Sequence, residues 1–236
     1  MQTRKREVLA HMMKQIPQYV VAESVEIRDW FAIAGRHMVD GKFITYSKQP
    51  NPVSLGDRWE STYDETVWFS AEVEIPERFI GRRMYLEFDF GGEAIVRING
   101  KIAGGVSNDK EWVYRDKIFL PDPLPEDRIL KVELESTINS GAYYDAAVAV
   151  GSESITYTMS KANLICVDEA TMSYNTDLQV VWDALEYITD PAISSRVYAA
   201  VDDSLHCLDF DFDRAAFYAS VPEATRVLWD KIEKIK

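Results

Sequence analysis

Val67-Trp68-Phe69-Ser70-Ala71-Glu72-Val73-Glu74-Ile75-Pro76 alternates apolar and polar side chains and then stops at a proline. Successive side chains of a strand point to opposite faces, so Val67, Phe69, Ala71, Val73 and Ile75 share one face and Trp68, Ser70, Glu72 and Glu74 the other. One apolar and one polar face mark an antiparallel strand covered on a single side. Working outward, Met84, Leu86, Phe88 and Phe90 alternate with Tyr85, Glu87 and Asp89 before Gly91-Gly92. Ala94, Val96 and Ile98 lead into Asn99-Gly100, a hairpin-turn dipeptide, and Leu130, Val132 and Leu134 alternate with Lys131, Glu133 and Glu135. Period-two strands with turn residues between them, from about Val25 to Val167, predict an antiparallel β-sandwich with Phe69, Val73, Leu86, Phe88, Val96 and Val132 inside.

The ends of the chain carry a different period. Val8, Leu9, Met12, Met13 and Ile16 recur at helical spacing, which predicts a helix over Arg4–Ile16 closed by Pro17. After Asp168 the period is again helical. Tyr174, Leu178, Val181, Trp182, Leu185 and Ile188 form one stripe ended by Thr189-Asp190-Pro191, and Ile193, Val197, Val201, Leu205 and Leu208 form a second. Ser220 with Glu223 reads as a capping box, with Pro222 in the first turn of a third helix that runs to the last residue without a C-cap. The expected organisation is a sandwich domain with its N-terminal helix over 1–167 and a helical segment over 168–236.

Composition excludes several classes. The 236 residues are 47% hydrophobic and 28% charged, the balance of a folded globule rather than a disordered chain. Against 39 acidic residues stand 26 basic ones, and the net charge of −13 repels a phosphate backbone, so no nucleic-acid partner is expected. The basic start Arg4-Lys5-Arg6 is followed by an apolar run too short for a signal peptide, and no stretch is long and apolar enough for a membrane span. With only Cys166 and Cys207, a disulfide framework is not expected, and a cytoplasmic protein without a membrane partner is.

Chemistry is thinly signalled. No Gly-x-Ser-x-Gly presents a nucleophile, and His11, His37 and His206 are scattered, the first and last on helices and His37 in a loop. No close pairing of histidines and carboxylates has metal-ligand spacing, so neither a catalytic nor a metal site is assigned. Asp89 and Glu93 bracket Gly91-Gly92 across an expected hairpin and form the most interesting carboxylate pair, although a turn acceptor is the plainer reading. Asp209-Phe210-Asp211-Phe212-Asp213 lacks the glycine and closing glutamate of a calcium loop and reads as a connector. Sugar rings stack on aromatics. Trp68 and Tyr85, on the polar faces of their strands, and Trp112 and Tyr114, near loops, are therefore the candidate carbohydrate-binding residues.

Three stretches in order carry a resemblance. Trp68-Phe69 through Ile75-Pro76, Phe88-Asp89-Phe90-Gly91-Gly92-Glu93 and Ile98-Asn99-Gly100 resemble the N-terminal region of the cytosolic and bacterial α-mannosidases of glycoside hydrolase family 38. Asn139-Ser140-Gly141 and Leu208-Asp209-Phe210-Asp211 also fit that pattern. The chain departs from the family's "G-x-D-x-x-H" stretch, because Gly105–Glu111 holds Asp109 but no histidine. Together with the strands, the resemblance implies a mainly β fold: an antiparallel sandwich of jelly-roll or galactose-binding-like type with an N-terminal helix, then a C-terminal helical segment.

By the same resemblance, the zinc ligands, nucleophile and general acid belong to a catalytic barrel beyond Lys236. This chain would then be a non-catalytic domain with no cofactor of its own, its partner being that barrel. Two other readings stand beside it: a free-standing carbohydrate-binding module with glycan partners, and a small complete glycosidase. Tyr174, Trp182, Tyr187, Trp229 and Ile232 offer more apolar area than three short helices and one sandwich flank cover, so self-association through the C-terminal helices is expected as well.

Overall fold

The computed structural model describes residues 2–62, 65–109, 113–137, 155–211 and 213–235. Two compact units emerge, one of residues 24–166 and one formed by residues 1–23 together with 167–236. The first is the sandwich. Its larger sheet has the order β10 (Val113–Arg115), β9 (Lys101–Asp109), β8 (Glu93–Ile98), β12 (Ile129–Thr137), β6 (Thr66–Glu74), β2 (Trp30–His37) and β3 (Phe43–Thr45), and β4 (Asn51–Val53) also pairs with β2. The smaller sheet has the order β1 (Val21–Glu26), β14 (Lys161–Val167), β7 (Met84–Asp89) and β11 (Lys117–Phe119). A separate pair is made by β5 (Arg58–Ser61) and β13 (Ile155–Thr158). The registered pairs are antiparallel.

Alternation in β6 translates directly into burial. Val67, Phe69, Ala71 and Val73 are buried, and their register partners Ser136, Leu134, Val132 and Leu130 on β12 are buried with them. Leu86, Phe88 and Val96 complete the inside face as the spacing predicts. Trp30 meets Phe88 and Phe90 edge-on, with ring centres 6.0 and 5.2 Å apart, a geometry that sets the positive ring edge on the negative face. Asn99 and Gly100 both have positive φ, 51° and 75°, and close the β8–β9 hairpin. Beyond that turn Val96 pairs with Gly104 but Arg97 with Ile102, so Ala103 is an extra residue on β9, a β-bulge.

Phe90-Gly91-Gly92 does not make the expected hairpin. β7 lies in the small sheet and β8 in the large one, so this segment carries the chain from one sheet to the other. The glycines serve close packing rather than a two-residue turn. A Cβ on Gly92 would come within 2.2 Å of the Thr137 carbonyl oxygen, and one on Gly91 within 2.5 Å of the Tyr157 ring. His37 likewise ends strand β2 instead of sitting in a loop.

The second unit is helical. It contains α1 (Gln2–Met13), α2 (Pro17–Val20), α3 (Glu169–Ala184), α4 (Pro191–Leu205) and α5 (Arg214–Ile232). Leu9, Met13, Ile16 and Tyr19 share a core with Tyr174, Leu178, Val201, Phe217 and Leu228, so the N-terminal helix belongs with the C-terminal helices and not with the sandwich. Contacts far apart in sequence cause this: Tyr19 stacks on Phe217 at 3.8 Å, and Arg214 donates to the carbonyls of Gln18 and Val21. Pro17, expected to close the first helix, begins α2, where its missing N–H costs nothing.

Aspartates cap the last three helices. Asp168 accepts from Thr171 N, Asp190 from Ala192 N and Asp213 from Ala215 N. The Ser220–Glu223 capping box is therefore not a helix start: Pro222 lies inside α5, and Ser220 Oγ instead accepts from Asp209 N. Nor does α5 run to the last residue, since it ends at Ile232 with Glu233 as C-cap. Of the expected apolar surface, Tyr174 is fully buried and Trp182 and Ile232 partly so, while Tyr187 and Trp229 are exposed.

Candidate functional site

The outward face of the large sheet carries the polar half of each alternating strand. Register aligns Phe31, Ser70, Glu133 and Arg97 in one row across β2, β6, β12 and β8. The next row is Ile33, Trp68, Glu135, Ile95 and Gly105. At the centre Glu135 is saturated. Its Oε2 accepts from Arg97 Nη1 at 2.6 Å, and its Oε1 lies 2.8 Å from His37 Nε2. The Arg97 guanidinium sits 4.7 Å from the centre of the Trp68 ring, and Phe43 flanks the same indole at 5.9 Å. The buried Trp68 Nε1 has no hydrogen-bond partner.

Two open hollows flank this cluster. One of about 570 Å³ is bordered by Glu93, Ile95, Gly105, Ser107 and Arg115. The other, of about 790 Å³, is bordered by Phe31, Ser70, Glu72, Asn99, Lys131 and Glu133.

A second cluster lies on the small sheet. Glu87 and Asp116 are each only 9% exposed. Lys117 Nζ reaches Glu87 Oε1 at 3.0 Å and Asp116 Oδ1 at 2.9 Å, and Lys161 Nζ lies 3.5 Å from both carboxylates. Asn163 Nδ2 donates to Glu87 and Tyr114 OH to Asp116. Burial by itself would raise the Asp116 carboxyl, but the hydrogen bond and charge of Lys117, reinforced by Lys161, hold it below its ordinary value. Burial would lower Lys117, yet its two carboxylate partners raise it. A carboxyl held ionised in this way suits charge pairing rather than proton donation at neutral pH.

The aromatic candidates do not converge. Trp68 lies on β6 of the large sheet under Arg97, whereas Tyr85 lies on β7 of the small sheet, packed on Phe119 at 5.5 Å with Arg83 over both rings. Tyr114 is exposed on β10, with its hydroxyl on Asp116. Trp112 lies outside the described residues, as does Asn139-Ser140-Gly141. Asp89 and Glu93 fall on strands of different sheets. Among the described residues no three His, Cys, Asp or Glu side chains group to hold a metal ion, so the ligands of an implied zinc do not fit on this chain's described part.

Phe31, His37, Arg97, Glu133 and Glu135 were not marked by any motif. Their signal is only that each occupies an outward strand position. His37 and Glu135 are 98 residues apart, and only the folded sheet brings them together.

Comparison with known proteins follows the same boundaries. A family model described as "Alpha-mannosidase, jelly roll domain" (Ams1-like) matches residues 32–165. Alpha-mannosidase 2C1 of Mus musculus is 26% identical over 136 residues, covering 56% of this chain and 13% of that protein. Alpha-mannosidase 2C1 of Homo sapiens is 28% identical over 118 residues, covering 48% of this chain and 11% of that protein. The chain thus matches about an eighth of the length of these relatives.

Proposed function

Because the chain belongs to the α-mannosidase jelly roll domain family, we propose that it acts as the non-catalytic β-sandwich domain of a retaining α-mannosidase. In this role it packs against and supports a zinc-dependent catalytic barrel, in the cytoplasm. The single observation that carries the reading is the family match over 32–165, which coincides with the sandwich unit of 24–166.

The chemistry of the clusters supports it. Glycosidic hydrolysis needs one carboxyl kept protonated and a second free to attack or activate water. Here Glu135 is taken up by Arg97 and His37, and Glu87 and Asp116 by two lysines. Exposed Tyr187 and Trp229 supply apolar surface on the helical unit for the partner or for self-association.

Two measurements test the reading. The purified chain, with or without added zinc, is expected to release no product from an aryl α-mannoside. It is also expected to bind a separately produced α-mannosidase catalytic barrel from the same source. Hydrolysis that survives repurification and vanishes on Glu93→Gln would overturn the non-catalytic role, and absence of barrel association would overturn the supporting one.

A further inference from the structure

We propose that the hollow beside Phe31 is a binding site for a neutral, hydroxyl-rich ligand, of the class of a hexose unit in a glycan. The inference stands on the sheet face alone and goes beyond the supporting role proposed above.

Phe31 is an outward residue of an interior strand, yet it remains 46% exposed. Its register neighbour Ser70 borders the same hollow, and Glu133 follows on the next strand. Glu72 and Lys131 face each other one pleat further along. Among the described residues none of Glu72, Glu133 and Lys131 makes a side-chain hydrogen bond or ion pair, although Glu72 and Lys131 are directly opposed in register. That contrasts with Glu135 one pleat away in the other direction, where both oxygens are occupied. Donors and acceptors that leave one another unpaired around an exposed ring are available to a ligand.

The chemistry selects the ligand class. An aromatic face is electron-rich and accepts the C–H face of a pyranose, and the ring gives area at little entropic cost. Carboxylates only accept hydrogen bonds, so Glu72 and Glu133 suit sugar hydroxyls, while Lys131 donates to a ring or hydroxyl oxygen. Asp29, Glu72 and Glu133 against one lysine leave the hollow negative, which rejects phosphate or uronate. These carboxylates do not group to hold a metal ion. A protein partner is disfavoured because interface cores are depleted in lysine and glutamate. The hollow, about 790 Å³, falls in the range of small-ligand sites.

Calorimetric titration of the 236-residue chain with mannotriose, maltotriose and tri-galacturonate tests the site. At least one neutral trisaccharide is expected to bind with a Kd of about 1 mM or tighter, and tri-galacturonate at least about tenfold more weakly. Phe31→Ala is expected to weaken the neutral ligand about tenfold with an unchanged melting temperature, and Phe31→Tyr to retain it. Glu133→Gln, a near-isosteric change, provides a second variant expected to weaken binding if Phe31→Ala fails to fold. No saturable heat with either neutral trisaccharide, equal binding of tri-galacturonate, or binding indifferent to these substitutions would overturn the proposal. Barrel association is measured separately, so failure of either reading leaves the other standing.

Discussion

The Arg97 guanidinium lies 4.7 Å from the centre of the Trp68 ring, and Glu135 holds it there through a 2.6 Å hydrogen bond. An indole on the polar face of β6 is thereby roofed by a side chain from β8, two strands away across β12, instead of being offered to solvent. Arg97→Ala is expected to uncover it, costing about 0.5–2 kcal/mol from the lost cation–π contact. In a spectrum of the indole N–H groups, the resonance of Trp68 is expected to move most. An unchanged Trp68 signal would refute the stacking.

Phe88 is completely buried between the sheets, beside Trp30 and Phe90. Phe88→Ala is expected to cost about 3–5 kcal/mol through lost transfer energy and the cavity left behind, read from the urea midpoint. A loss under about 1 kcal/mol would mean that the two faces of β7 are assigned the wrong way round.

In the helical unit, Ser204 Oγ donates to the Ala224 carbonyl at 2.8 Å, so the Tyr174 hydroxyl, 2.7 Å away, must donate to Ser204. This chain joins α3, α4 and α5. Tyr174→Phe removes one buried hydrogen bond and is expected to cost about 0.5–1.5 kcal/mol. Ser204→Ala strands the tyrosine hydroxyl without an acceptor and is expected to cost about 1–3 kcal/mol. Burial pushes the Tyr174 hydroxyl up to about 12 from 10.0, and a hydroxyl that donates to Ser204 is held in its neutral form. A tyrosine kept neutral in the fold contributes stability that is present below its unfolded value and lost as pH rises toward the folded one. Alkaline loss of stability between pH 10 and 12 is therefore expected to be shallower in Tyr174→Phe.

Asp116 titrates in the opposite sense. Its carboxyl is held below 3.8 in the folded chain because Lys117 and Lys161 outweigh the effect of burial. The stability it contributes is present above the unfolded value and lost as pH falls through the folded one. Asp116→Asn is expected to lower stability at pH 7 and to flatten the acid-side decline below about pH 4. A variant as acid-sensitive as the parent would show that other carboxylates dominate that limb.

The sequence by itself determined the sandwich. In β6, β7, β8 and β12 a period of two places Phe69, Phe88, Val96 and Val132 on one face, and burying that face is the dominant favourable free energy available to such a strand. It also determined where helices follow, because the apolar period turns helical after Asp168, and the folded chain caps the first two of those helices with Asp168 and Asp190. The N-terminal helix was legible as a helix but not as a member of the helical unit. Amphipathic spacing at Leu9 and Met13 states that a partner exists, whereas Tyr19 finding Phe217 nearly two hundred residues later names it. Similarly, Gly91-Gly92 reads in the sequence as a hairpin turn, and only the assembled sheets showed a crossing between them with Thr137 and Tyr157 as close neighbours. The outward surface was the least legible part. Polar strand positions look alike one at a time, and only the assembled sheet occupies both oxygens of Glu135 with Arg97 and His37 while leaving Phe31 exposed in the row of Glu133. Local periodicity acts through the backbone a residue sits on and can be read from its neighbours in sequence. Pairing acts through distances of a few ångströms between residues far apart in the chain, and those distances exist only once the chain has folded.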